Sequence, residues 1–222
     1  YNGRRPVEQL FDMAPVDNRW CLIHATHLSD DEVKRIARSG ATVGLCPMTE
    51  ANLGDGIFRA TDYLAEGGVF GIGSDSNIAT FAAQELQQLE YSQRLRDMQR
   101  NVLASARQPH VAANLWSNAA KGGARAAGRP EQGIAVGGMA SFVTLASPEP
   151  AAMGPVADEA ALDFHMFAGR GFHAGDVVVR GRHVVQDGHH PAEDAILADY
   201  AAAMGRVSDR LAARNSDGRM GG

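Results

Sequence analysis

The stretch that decides the fold is WCLIHATHLSDDEVKRIARSGATVGLCP, residues 20–47. It contains two continuous apolar runs, 20–23 and 41–46, and a third run, VFGIG, follows at 69–73. Continuous runs of this length are typical of strands buried on both faces of a parallel sheet, because strands with one wet face alternate apolar and polar residues. The sequence therefore predicts three parallel strands in its first third.

Helical patterns separate these strands. Between the first two runs, Ser29 and Glu32 form a capping box and Gly40 supplies a stop signal, so one helix has both ends encoded. A second helix is predicted over 57–66, and a longer, arginine-rich one from about 82 to 106. This alternation predicts an α/β fold with a parallel sheet. Since three strands are few, we expect a larger doubly wound sheet or barrel, or a chain that is a piece of one.

Near residue 129 the sequence pattern changes from alternating strands and helices to short strands. Runs at 133–139, 141–145 and 176–185 predict β-strands joined by glycine turns. A helix is predicted from 191 to about 213, followed by a frayed tail. We therefore expect three regions, which are an α/β part at 1–128, a small β-rich segment at 129–190, and a C-terminal helix and tail at 191–222.

Composition narrows the class of protein. The 222 residues are 45% hydrophobic and 21% charged, with a formal net charge of −5, which fits a globular chain and argues against a nucleic-acid or anionic membrane partner. No apolar run approaches the roughly 18 to 20 residues that span a bilayer, and the first residues lack the apolar core of a signal peptide. We expect a cytoplasmic protein with a small-molecule substrate. Cys21 and Cys46 lie in apolar runs without metal-ligand spacing, so both are predicted to be free and buried.

Unusual polar residues follow all three predicted strands. His24 comes after the first run, a loop with Glu50 and Asn52 after the second, and Asp75 after the third. In parallel α/β folds the carboxyl ends of the strands gather ligands and catalytic groups. One such residue is more often a cap or a loop residue, but three consecutive strand ends favour a site that combines a general acid or base with a metal ligand.

Four motifs carry a resemblance to a known family. They are HATHLSDDE at 24–32, GLCPMTEANLGDG at 44–56, GIGSDS at 71–76, and ELQQLEYSQRLR at 85–96. Over residues 1 to about 213 the chain resembles the amidohydrolase superfamily and, within it, the formimidoylglutamate deiminase family. The strand-end histidine followed by a strand-end aspartate is broader and is shared with guanine and adenosylhomocysteine deaminases.

The resemblance implies a fold and a reaction. The fold is the C-terminal part of a (β/α)8 barrel, holding barrel strands six to eight, with part of a small β-rich domain. The reaction is the metal-dependent hydrolysis of N-formimino-L-glutamate to N-formyl-L-glutamate and ammonia in histidine degradation, and the complete protein is expected to be a homo-oligomer. A second possibility is another deaminase of the superfamily that acts on a purine or pterin-like ring. A third is a catalytically incomplete fragment or a non-enzymatic module.

The resemblance also assigns residue roles. His24 matches a histidine that assists proton transfer, and Asp75 matches an aspartate that ligates one divalent metal ion, expected to be zinc, and takes a proton. For Glu50 and Asn52 the loop composition leaves two interpretations open, which are that they bind substrate or that they cap the turns of their own loop. The family's other metal ligands are an HxH pair and a histidine in an HxxE motif at barrel strand ends. No HxH occurs in these 222 residues, and no HxxE follows any of the three apolar runs, so these ligands are expected upstream. The isolated chain is therefore expected to be inactive, to hold no stoichiometric zinc, and to aggregate through an open sheet edge.

Several residues depart from the family pattern or have plainer interpretations. Asn77 stands where a histidine is expected, and Ser141 where an aspartate is expected. His27 is interpreted as a loop residue near the strand ends. Surface roles are predicted for the remaining candidates Arg94, Arg96, Arg100, His183, His189 and His190.

Overall fold

Three parallel strands form the sheet that the apolar runs predict. They are β1 (Cys21–Ile23), β2 (Thr42–Leu45) and β3 (Val69–Ile72), hydrogen-bonded in the order β1-β2-β3. Cys21 lies beside Thr42, and Thr42 beside Val69. Within the ranges that this computed structural model describes, β1 and β3 each pair on one side only; those ranges are 3–129, 133–146, 158–168 and 173–217.

Six helices accompany this sheet, namely α1 (Pro6–Met13), α2 (Asp30–Ser39), α3 (Pro47–Leu53), α4 (Ala60–Ala65), α5 (Ala82–Asp97) and α6 (Val111–Ala126). Helix α2 confirms the prediction made from its ends. The Ser29 hydroxyl accepts a hydrogen bond from the Glu32 amide, and the Glu32 carboxylate accepts one from the Ser29 amide. Gly40 ends the helix with φ of 76°, a left-handed value that glycine adopts without a Cβ penalty.

Three helix predictions need correction. The TEANLGDG segment was expected to be a loop, but most of it is helix α3, because Pro47 fits the first helical position and Gly54, with φ of 72°, ends it. The predicted helix at 57–66 starts later, at Ala60. The helix predicted from 82 to about 106 stops at Asp97, since Met98 turns into the left-handed region with φ of 53°.

Helix α6 approaches β3 unusually closely, and it has no counterpart among the helices that the sequence predicts. A Cβ atom built on Gly122 would lie 1.8 Å from the carbonyl oxygen of Phe70. A Cβ on Gly71 of the strand would in turn lie 3.1 Å from the backbone nitrogen of Gly123. In both cases the added atom would meet backbone, so this packing of α6 on β3 requires glycine at 122 and leaves little room for a side chain at 71.

The LEYSQRLR segment of α5 mainly supports the fold. Fully buried Glu90 accepts hydrogen bonds from Arg94 and from the amides of Val102 and Leu103. Fully buried Gln93 bonds the amide of Ala60 and the carbonyl of Phe58. The Glu90 carboxylate and the Gln93 amide are thus paired, and they tie α5 to two neighbouring loops.

The chain divides into two compact units. The first comprises the described residues of 1–133 and 149–170, and the second those of 134–148 and 171–222. The first unit also contains α7 (Asp158–Asp163), which is followed by a π-helical turn, Phe164–Ala168. Met166 of this turn is buried, and its carbonyl accepts a hydrogen bond from the Gln87 side chain.

The second unit holds an antiparallel sheet and a long helix. Its elements are β4 (Phe142–Ala146), β5 (His173–Val179), β6 (Arg182–Val185) and α8 (Glu193–Asp217). The prediction of a strand at 133–139 is wrong, because these residues form bends and turns. The predicted tail at 215–222 is helical as far as Asp217, and 218–222 lie outside the described residues. None of the helices described is both long and apolar enough to cross a membrane.

Candidate active site

His24 and Asp75 lie just beyond the carboxyl ends of the two outer strands of the parallel sheet. His24 directly follows β1 and donates its amide hydrogen to Gly44 O at 2.8 Å. Both residues have left-handed backbones, with φ of 63° for His24 and 50° for Asp75. Few non-glycine residues adopt this conformation, which costs of order 1 kcal/mol or more and concentrates at functional sites. The surrounding structure must hold both residues in place.

The two side chains converge over the end of the central strand. Strands two positions apart in a sheet are separated by about 9.5 Å. Nevertheless, His24 Nε2 lies 4.0 Å from Asp75 Oδ2, so the side chains lean toward each other across β2. Their exposed fractions are 37% and 43%, which leaves both in reach of a bound molecule. The structure thus brings together the two residues that the sequence predicts to be catalytic.

Glu50, on helix α3, contacts the other ring nitrogen of His24. Its side chain is only 5% exposed, and its Oε1 atom lies 3.2 Å from His24 Nδ1. The same oxygen accepts the amide hydrogen of Cys46 at 2.9 Å. Asn52 is two positions further along α3 and exposed. Because helix positions i and i+2 do not share a face, Asn52 does not join Glu50, and its predicted role in substrate binding stays a prediction.

Two residues that the sequence patterns do not single out, Thr49 and Glu85, anchor α3 at this site. The Thr49 hydroxyl donates to the carbonyl of Ser74 at 2.9 Å, one residue before Asp75. Buried Glu85 of α5 accepts the amide hydrogen of Met48 at 2.9 Å, while its Oε1 has no partner among the described residues. Burial, with Glu50 nearby, raises the pKa of Glu85. Neither role could be found without knowing that residues 47–53 are helical.

The side chains of this site differ in how well they fit a divalent metal ion. Zinc binds carboxylate oxygens. Among the described residues, the Asp75 carboxylate has a polar contact with His24 alone, so its oxygens remain able to bind an ion. A second group, with ligand atoms of His24, Cys46 and Glu50 within 4.8 Å of one another, fits less well. Burial, followed by the charges of Glu50 and Asp75, raises the pKa of the Cys46 thiol to about 11, which disfavours the thiolate that a metal requires. Asp75 therefore fits as one ligand.

The other candidates have structural roles. The His27 ring lies against Gly56, where an added Cβ would be 3.3 Å from its Cε1. The Asn77 side chain accepts the amide hydrogen of Ala79 and shapes a turn. The Ser141 hydroxyl accepts the amide hydrogen of Arg180 in the second unit. Arg94 and Arg96 are half-buried in ion pairs with Glu90 and Asp97.

Comparison with known proteins places the chain in a family. The model of the amidohydrolase family matches residues 6–184. Formimidoylglutamate deiminase of Pseudomonas aeruginosa is 46% identical over 209 residues, which are 94% of this chain and 46% of that protein. The chain thus spans about half the length of this relative.

Solved structures agree. An amidohydrolase from Brucella melitensis is 48% identical with a TM-score of 0.86, and the match covers 93% of this chain and 45% of that one. An adenosine deaminase from Xanthomonas campestris with bound zinc has a TM-score of 0.78 over 94% of this chain and 47% of that one, and at 21% identity shows the fold alone. With the family model matching most of its length, the chain belongs to the amidohydrolase family.

Proposed function

We propose that the protein to which this chain belongs hydrolyses N-formimino-L-glutamate to N-formyl-L-glutamate and ammonia, as a step of histidine degradation. The observation that carries the proposal is the convergence of His24 and Asp75, 4.0 Å apart, at the carboxyl edge of the parallel sheet. The identity of 46% to a formimidoylglutamate deiminase supports this choice of substrate.

The reaction needs proton transfer at two points. Water adds its oxygen to the formimino carbon, the bond from this carbon to the terminal nitrogen breaks, and ammonia leaves with the protons that the water gave up. When bound, a divalent metal ion lowers the pKa of its water to about 7 and so supplies a nucleophile at neutral pH. We propose zinc in this role, with Asp75 as one ligand.

The residues of this chain would handle the protons. Asp75 is placed to accept a proton at Oδ2, and His24 Nε2 faces that oxygen across 4.0 Å. In the proposed mechanism His24 assists transfer toward the departing nitrogen, and the substrate or one water between the two side chains would carry the proton, since 4.0 Å is too long for a direct hydrogen bond. General acid or base catalysis of this kind contributes about 10²- to 10⁴-fold in rate.

The proposal includes the rest of a barrel. We propose that β1 to β3 are strands six to eight of a (β/α)8 barrel, with a barrel part at 1–128, a β-rich part at 129–190 and a C-terminal helix and tail at 191–222. The one-sided pairing of β1 and β3 supports this, as does an apolar groove of about 540 Å³ beside β1. The remaining metal ligands would come from outside these residues. A cytoplasmic homo-oligomer with a small-molecule substrate, and without nucleic-acid or membrane partners, completes the proposal.

Ammonia release tests the function directly. The longest natural polypeptide that contains these 222 residues is assayed with N-formimino-L-glutamate. His24→Gln and Asp75→Asn are each expected to lower kcat by about 100-fold or more, because each removes a proton-transfer group. His27→Gln, which changes a neighbouring histidine that lies against Gly56, is the matched control. Full turnover in either variant of the pair contradicts the assigned roles.

A ring deaminase is the second candidate. The convergence of His24 and Asp75 suits any amidine carbon from which ammonia leaves, whether in a chain or in a purine or pterin-like ring. A parallel assay with adenosine, guanine and N-formimino-L-glutamate distinguishes the two, and a higher kcat/KM for a ring substrate would replace the first candidate.

A third candidate is a catalytically incomplete fragment or a non-enzymatic module. Because Asp75 alone is proposed as a ligand within these residues, we expect the 222-residue chain by itself to be inactive and to bind no stoichiometric zinc. Metal analysis after dialysis checks this, and one tightly bound equivalent of zinc would contradict it.

A further inference from the structure

We propose that Glu50 is a positioning residue that holds the His24 ring in the tautomer with its proton on Nδ1. This deepens the proposed function, on which it rests for the catalytic role of His24. It differs from the substrate-binding role that the sequence predicts for Glu50, because the carboxylate acts through His24.

The hydrogen bonds of Glu50 determine where the proton lies. An ionised carboxylate can only accept hydrogen bonds. Its Oε1 takes the amide hydrogen of Cys46 at 2.9 Å and lies 3.2 Å from His24 Nδ1, so in a neutral ring the hydrogen of that contact must be on Nδ1. The partner of one imidazole nitrogen fixes the state of the other. His24 Nε2, which faces Asp75, is then left as a proton acceptor.

The place of Glu50 in the fold explains how it can hold the ring still. Helix α3 is tied on two sides, by Met48 to the buried Glu85 carboxylate and by Thr49 to the carbonyl of Ser74. Glu50 is the next residue and is only 5% exposed. The strained backbone of His24, with φ of 63°, directs its ring onto this fixed carboxylate. The same short helix therefore supports the histidine and the segment that carries Asp75.

The geometry favours this role over two others. Oε1 of Glu50 already has two partners and the side chain is only 5% exposed, so the oxygen that contacts His24 is not free to bind substrate. A metal ion shared with His24 and Cys46 would have to displace the hydrogen bond between His24 and Glu50. The positioning role uses the contacts as they stand.

The tautomer itself is the test. The longest natural polypeptide containing the chain is labelled with ¹⁵N-histidine, and long-range ¹H–¹⁵N spectra identify which ring nitrogen of His24 carries hydrogen, with His24→Gln used to assign its signals. Glu50→Leu, of similar size but with no acceptor, is expected to abolish the pure Nδ1–H form. Glu50→Gln, whose amide oxygen can still accept both hydrogen bonds, is expected to retain it. Glu85→Gln removes the charge of another buried carboxylate but keeps an oxygen that can accept the Met48 amide hydrogen, so α3 stays anchored and the His24 signals should be unchanged.

A kinetic arm separates positioning from substrate binding. Glu50→Leu is expected to lower kcat by about 100-fold and to change KM by less than about threefold. A raised KM with unchanged kcat, or a pure Nδ1–H tautomer in Glu50→Leu, overturns the proposal. If Glu50→Leu does not fold, Glu50→Asp withdraws the carboxylate by one methylene and carries the same expectations. The spectra need no substrate, so they decide the role of Glu50 even if the proposed reaction fails.

Discussion

The two compact units differ in how much of their apolar surface is buried. In the first unit, residues from six of the described helices and from all three parallel strands form or pack against one core, in which Ile36, Val43, Leu45 and Leu115 are fully buried. In the second unit, large apolar side chains remain exposed on both the sheet and the helix. On α8 they recur every three or four residues at Leu197, Tyr200, Met204, Val207 and Leu211.

The difference shows where the candidate site gets its rigidity. Strained backbones such as that of His24 persist only when surrounding contacts over-determine them. The first unit supplies such contacts through its packed core and through the buried, hydrogen-bonded side chains of Thr49 and Glu50. The sheet of the second unit is stabilised mainly by backbone pairing and a few side-chain bonds, for example from Ser141. The left-handed residues of the second unit, Arg180 and Asp187, lie in turns next to a glycine, whereas His24 and Asp75 of the first unit are held by a packed core.

Two leucines in helices offer the strongest test of this contrast. Leu115 of α6 is fully buried, whereas Leu211 of α8 is 55% exposed. Leu115→Ala is expected to destabilise the first unit by about 3 kcal/mol, because it removes buried methyl groups and leaves a cavity. Leu211→Ala should change stability by less than about 0.5 kcal/mol. Hydrogen exchange of the longest natural polypeptide that contains these residues, read by mass spectrometry, compares α6 with α8. Similar effects of both substitutions would remove the contrast.

Two neighbouring glycines of α6 compare a tightly packed position of the first unit with an open one. Gly122→Ala is expected to cost about 2 kcal/mol, since its Cβ would meet the carbonyl oxygen of Phe70 at 1.8 Å and force the helix from the sheet. Gly123→Ala meets nothing within 4 Å and should stabilise the helix by about 0.5 kcal/mol. Urea unfolding followed by tryptophan fluorescence measures both, as Trp20 and Trp116 lie in this unit. Equal effects would show that the helix can shift.

The parts of the fold that could be predicted are those with their signals encoded locally. The three parallel strands are continuous apolar runs, and α2 carries both of its caps, Ser29 and Gly40, in its own sequence. Helix α6 lacks such signals, and its Gly122 suggests a break until the backbone of β3 is known to lie against it. The run at 133–139 has strand-like residues but finds no partner strand within the described part of the chain.

In the candidate site, too, some features are encoded locally and others depend on residues distant in sequence. His24 and Asp75 could be predicted because both follow apolar strands, and the carboxyl edge of a parallel sheet is where ligands gather. Their left-handed backbones and the role of Thr49 depend on residues distant in sequence, which local patterns do not encode. Glu50 was found for its position, but its contact with His24 requires α3 to be a helix rather than a loop.

The smallest expected effect concerns a buried tyrosine of the first unit. The Tyr63 hydroxyl lies 3.1 Å from the carbonyls of both Ala41 and Val69, and burial raises its pKa to about 12. Tyr63→Phe should cost about 1 kcal/mol at pH 8 through the lost hydrogen bond. Tyr200→Phe, on an exposed side chain of α8, serves as the control and should cost much less.

The effect of Tyr63→Phe should depend on pH in one direction. With a pKa near 10 in the unfolded chain and about 12 when folded, Tyr63 loses its proton first in the unfolded state. Its stabilising contribution is therefore complete below pH 10 and declines between pH 10 and 12, by up to about 1.4 kcal/mol per pH unit. The stabilities of the wild-type chain and Tyr63→Phe should meet close to pH 11, as measured by urea unfolding across this range. A constant difference from pH 8 to 12 would mean that the folded chain does not favour the neutral phenol.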